Sequence, residues 1–219
     1  MRYVMFLTVC LIAGCGQIVD VPVTTYENSA DTQLFIGDFA GVLPNSCAVT
    51  AAEVINHQTG LVSGEITNES YKNTATAIGY TPTGTPMPSF RAYYEQRGFS
   101  MNETGYPLDS CLAYSMVAIK RNEGCGVAIL YLFPNDNTSH LETVVGVKSE
   151  SAVSCEIHLN SWGRAATLTG FSNGTIKRSF KSQEVETHTT TRTYTGVTPD
   201  IDITYPAGTT MEAYFVCPK

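Results

Sequence analysis

The residues predict an α+β fold, with N-terminal helices packed on a C-terminal antiparallel β-sheet. Two observations carry that expectation. Between residues 47 and 121, small and apolar residues recur at the spacing of helix faces. After Gly124, runs rich in β-branched and aromatic residues, separated by turn formers, take over. Helices first and strands second segregates the two kinds of element instead of alternating them. Composition bounds the class: 219 residues, 43% hydrophobic and 15% charged, suit one globular domain rather than a disordered chain.

Taken in order, the first helix covers Cys47–Gln58 and lines up Ala48, Ala51, Ala52 and Ile55, with Pro44-Asn45-Ser46 as its start signal and Gly60 as its stop. Residues 61–87, rich in Thr, Gly, Asn and Pro, combine loops with a short helix. A helix over 89–97 ends at Gly98 and puts Phe90, Tyr93 and Tyr94 on one side. Another, over 108–121, carries Lys120 and Arg121 where they favour its C-terminal dipole. Strands are expected at 127–133, 143–147, 153–159, 175–180, 189–194 and 211–216.

The first fourteen residues read as an export signal: Arg2 precedes the apolar run 3–12, and Ala13 and Gly14 follow. Leu11-Ile12-Ala13-Gly14-Cys15 resembles the bacterial lipobox, which makes Cys15 the lipidated residue and the membrane the partner of that anchor. Residues 15–32 are polar and without period, as a tether would be, and the folded domain spans 33–219. The reading is a protein of the bacterial envelope, with plain secretion as the alternative. A glycan on the Asn137 sequon would crowd His140, which favours the bacterial origin.

A net charge of −7 and the lack of a basic cluster exclude a nucleic-acid partner. No CxxC spacing occurs, so neither zinc nor another metal is implied. Setting aside Cys10 in the signal and Cys15, five cysteines remain, and five is odd. Exported proteins meet an oxidising compartment, so an unpaired thiol there needs a reason. Cys111, Cys125, Cys155 and Cys217 can form two bridges in three ways; the expectation is Cys111 with Cys125, and Cys155 with Cys217 beside the Asn160 strand.

Cys47 is the remaining thiol, and it opens a helix, where the N-terminus and a nearby imidazole favour the thiolate. The bland alternative is a buried or disulfide-bonded cysteine. Four histidines compete as its base. His57 lies ten residues along the same helix, roughly 15 Å away. His188 sits in a threonine-rich stretch without chemical context, and His158 shares a strand face with Asn160. His140 follows the Pro-Asn-Asp loop and opens the run Leu141-Glu142-Thr143-Val144-Val145, so it presents its ring at a sheet edge. Asn160 would orient the imidazole, and Trp162 would shield the pair from water, although core packing also explains a lone tryptophan. The oxyanion hole would use the Cys47 N–H and a side-chain amide from Gln33, with Asn45 as alternative donor or as helix cap.

His140 to Gly146, followed by Asn160-Ser161-Trp162-Gly163, resembles the histidine and asparagine strands of the papain-like cysteine peptidase superfamily. Around the nucleophile the chain departs from papain proper: Gly41 stands where a glutamine is usual, and Ala48 follows the cysteine. Cys47-Ala48-Val49-Thr50 is closer to the bacterial group related to double-glycine leader peptidases of bacteriocin exporters. The resemblance covers about residues 33–163. It implies a papain-like fold, hydrolysis of a peptide or protein substrate through Cys47, His140 and Asn160, and no cofactor. Two alternatives stand beside it: a hydrolase of peptidoglycan peptides, and a non-catalytic envelope binding lipoprotein.

Overall fold

The structure is a computed structural model that describes residues 24–27, 43–103, 111–134, 139–151, 154–161, 164–169, 177–180, 183–189, 192–198, 201–204 and 209–219. Four helices are described: α1 (Cys47–Gln58), α2 (Asn68–Ala77), α3 (Met87–Glu95) and α4 (Cys111–Asn122). The strands are β1 (Thr24–Glu27), β2 (Phe99–Glu103), β3 (Gly126–Leu132), β4 (Ser139–Ser151), β5 (Ser154–Ser161), β6 (Arg164–Thr169), β7 (Lys177–Phe180), β8 (Gln183–Thr189), β9 (Arg192–Thr198), β10 (Ile201–Thr204) and β11 (Thr210–Pro218). The expected α+β layout with an antiparallel sheet is present. The sheet runs β10-β7-β6-β5-β4-β3-β11-β2, β1 pairs with the second half of β4, and β8 and β9 form a separate hairpin.

Both faces of the sheet are covered. On one face Val49, Ala52 and Ile55 of α1, Tyr71 of α2 and Tyr94 of α3 bury against Leu130, Leu141, Val145 and Val216. On the other, Tyr114 and Val117 of α4 bury with Ile129, Val144, Leu159 and Phe215. The result is three layers, helices on each side of one sheet. The small residues of α1 let it lie close on the strands. A Cβ at Gly126 would stand 2.5 Å from Ile55 Cγ2, so the helix rests directly on glycine backbone.

Local chemistry sets the element ends. Thr67 and Ser70 form a reciprocal capping box at the start of α2, and α3 starts after Pro86 with Pro88 in its first turn, where a missing N–H costs nothing. Thus the stretch expected to hold one short helix holds α2 and the first residue of α3, Met87. Four further expectations need correction. Within the stretch read as a tether, Thr24–Glu27 pair with Gly146–Ser149 of β4. β2 adds a strand to the helical half. The single strand expected at 189–194 is divided between the last residue of β8 and the first three of β9, strands that pair with each other.

The disulfide pairing is the fourth correction. Cys125 bonds Cys217, because Gly126 and Val216 are register partners and the next residues out fall opposite each other, with Cα atoms 4.3 Å apart. Strand β11 lies between β3 and β2, with β3 and β4 separating it from β5, so Cys217 is not beside the Asn160 strand. Cys155 is also disulfide-bonded. The Cys111 side chain lies outside the described residues.

Candidate active site

Cys47 is the first residue of α1, and its position follows from how the preceding turn is held. Asn45 has φ 53°, a left-handed conformation that asparagine tolerates better than most residues. Its Nδ2 donates to the Pro82 carbonyl at 2.9 Å, and the Tyr80 hydroxyl donates to the Pro44 carbonyl. The loop after α2 therefore clamps the turn. Asn45 is not the helix cap expected as one of its roles. Ser46 occupies that position, yet its hydroxyl meets Tyr71 Oη at 2.8 Å instead of capping.

Because no side chain caps α1, its first amides remain for other acceptors. The N–H groups of Val49 and Thr50 return to the Ser46 carbonyl, at 2.9 and 3.0 Å. The Ala48 N–H bonds the Cys47 sulfur. So does the Leu141 N–H, from the start of β4. That edge is open to the sulfur because the described pairing of β4 with β5 ends at Thr143 and Asn160, leaving 140–142 to run past it.

His140 is the base candidate that the fold brings to Cys47. Burial pushes the thiol pKa up, but the hydrogen bond and charge of His140, with the two backbone N–H groups, outweigh it and bring the thiol below its ordinary value. Cys47 is also the free cysteine among the described residues. On the far side of the ring, His140 Nε2 meets Glu142 Oε1 at 2.9 Å and Ser161 Oγ at 3.2 Å. Tyr131, the register partner of His140 on β3, stacks on the imidazole with centroids 6.2 Å apart.

Glu142 and Ser161 were not among the residues read from the sequence. The signal was available: residues two apart on a strand share a face, so His140-Leu141-Glu142 puts a carboxylate beside the ring. Asn160 is 5% exposed and pairs with Thr143, whose hydroxyl reaches the Ala51 carbonyl of α1 at 3.4 Å. Strand alternation thus sends Asn160 toward the α1 side, and Ser161 to the side of Glu142.

The other histidines lie elsewhere. His158 approaches Glu156 Oε2 at 3.4 Å and covers Gly146, whose Cβ would stand 3.1 Å from its ring. His57 sits in the last turn of α1, and burial pushes its pKa down. The side chain of His188, together with Cys15, Gln33 and Trp162, lies outside the described residues. Among the described residues no group of three or more His, Cys, Asp or Glu side chains is placed to hold a metal ion.

The arrangement can generate a thiolate beside an imidazole at a helix N-terminus. That is the equipment of acyl transfer. A scan against protein-family models finds no match for the chain, and a search of curated proteins finds no similar one.

Proposed function

We propose that this chain is a cysteine hydrolase of amide bonds, acting on a peptide or protein substrate. Cys47 sulfur attacks the carbonyl carbon, forming a C–S bond and a tetrahedral oxyanion. His140 then gives its proton to the departing amine as the C–N bond breaks, leaving a thioester. Water, deprotonated by His140, attacks the thioester and releases the carboxylic acid and the free thiol. The Cys47 N–H is one oxyanion donor on this reading, and Gln33 is the proposed second.

One observation carries the proposal. In a chain whose Cys125, Cys155 and Cys217 are oxidised, Cys47 is free, and its thiol lies below the ordinary value although its partial burial pushes the other way. A structural cysteine in such surroundings is raised by burial and inert. The papain-like fold, and export with a lipid anchor on Cys15, belong to the same proposal and set the substrate in the bacterial envelope.

The test is alkylation of the mature, oxidised protein with iodoacetamide near neutral pH, read by peptide mapping, together with cleavage of a denatured protein substrate. Cys47 should label faster than a free model thiol, and Cys47→Ala should abolish cleavage. Labelling no faster than the model thiol, with no cleavage by the wild type, refutes the proposal.

A further inference from the structure

We infer that Glu142, and not the motif asparagine, is the positioning residue that orients and charges His140, so that the site operates as Cys47, His140 and Glu142. The inference rests on the reading of Cys47 as the nucleophile.

Three observations converge on it. Glu142 Oε1 lies 2.9 Å from His140 Nε2, and the two side chains are 0% and 10% exposed. Strand geometry makes the two side chains neighbours, since residues 140 and 142 of one strand project to one side. The surroundings are apolar: Glu142 pairs across β3 with Ile129, and Tyr131 stacks on the imidazole. Facing the ring are Cys47 from α1, Tyr131 from β3, Glu142 from β4 itself and Ser161 from β5. An enclosed carboxylate needs hydrogen-bond donors, and His140 Nε2 is one of them on a ring that also meets the Cys47 sulfur.

The chemistry follows. A neutral amide behind the ring fixes its tautomer and orientation only. A carboxylate does both and also stabilises the imidazolium that forms when the thiol gives up its proton. No covalent step passes through Glu142. Asn160, the register partner of Thr143, lies on the α1 side of β5, the face opposite to that of Glu142.

The test compares Glu142→Gln with Asn160→Ala in the full-length oxidised protein, using the pH dependence of Cys47 alkylation and the kinetics of peptide cleavage. Glu142→Gln should lower kcat by about 10²- to 10⁴-fold with KM little changed. It should also move the alkylation midpoint upward, and Glu142→Asp should recover part of both. Asn160→Ala should cost less than about tenfold and leave the midpoint in place. The wild type gives a measurement free of mutant misfolding: a strongly downfield, slowly exchanging Nε2–H proton of His140 in its NMR spectrum.

An Asn160→Ala variant that shifts the midpoint while Glu142→Gln does not overturns the inference. So does absence of the downfield Nε2–H proton in the wild type. A wild-type Cys47 no more reactive than a free thiol removes the nucleophile reading itself, a failure seen before any variant is made.

Discussion

Two titratable residues on α1, the half-buried Cys47 and the buried Glu53, have their pKa values displaced in opposite directions. For Cys47, burial raises the thiol pKa and only the contacts with His140, Leu141 and Ala48 reverse it. Removing the imidazole in His140→Ala leaves burial dominant, so the alkylation midpoint should rise, with reactivity at neutral pH falling about tenfold or more. Rates of iodoacetamide labelling against pH check this; an unchanged midpoint would show that the backbone amides alone hold the thiolate. Glu53 is 1% exposed, its pKa is raised by burial and partly restored by a hydrogen bond from Thr74, and its Oε1 has no partner. The folded protein therefore binds this proton more tightly than the unfolded chain. That contribution is complete below the ordinary carboxyl value and is lost as pH rises through the raised one. Glu53→Gln, which keeps the shape without the charge, should be more stable than wild type at pH 8 and flatten the decline above pH 5, as read by urea unfolding.

Legibility at this scale was uneven. Cys47 and His140 stood out because a thiol at a helix start and a histidine opening a strand are placed by local signals that need no tertiary knowledge. Glu142 did not, because a glutamate in an alternating run reads as the outward residue of a half-exposed strand. Here both faces of the sheet are covered, so alternation separates two interiors instead of inside from outside.

The contact of Ile55 with Gly126 fixes how closely α1 approaches β3. Gly126→Ala forces methyl against methyl between a helix and a strand that are each packed on other elements, at a cost of about 1–3 kcal/mol. Denaturant unfolding measures it. Combining the change with Ile55→Ala should give a loss smaller than the sum of the two, since the clash disappears with the side chain. Helix α1 was read to its observed ends because Ser46 and Gly60 punctuate it. Strand β2 was not: only Phe99 and Met101 of its five residues are buried, too short a pattern beside Gly98 to signal a strand. The β8–β9 hairpin escaped for a related reason. Its threonine-rich sequence has high strand propensity throughout, and nothing in propensity says where the chain turns.

Across the whole molecule, Cys125–Cys217 closes a loop of 92 residues that contains β3 through most of β11. Constraining so much unfolded chain is worth about 2–5 kcal/mol. The double variant Cys125→Ala, Cys217→Ala should unfold at correspondingly lower urea with Cys47 still reactive, a comparison that separates the staple from the site. Helices before strands was legible as a class because it needs only the period of each segment. Strand order was not, since it depends on which distant segments meet, and that is why Cys217 was assigned to the wrong neighbour.

The place of β11 has a consequence in time. It stands between β3 and β2, yet it comes last in the sequence. While the chain is being made, β2 and the β3-to-β7 array have no strand to join them, and the long-range contacts of the sheet wait for residues 210–218. The sheet therefore stays incomplete until β11 has been made, and the Cys125–Cys217 bond, whose second cysteine lies on that strand, cannot close before then.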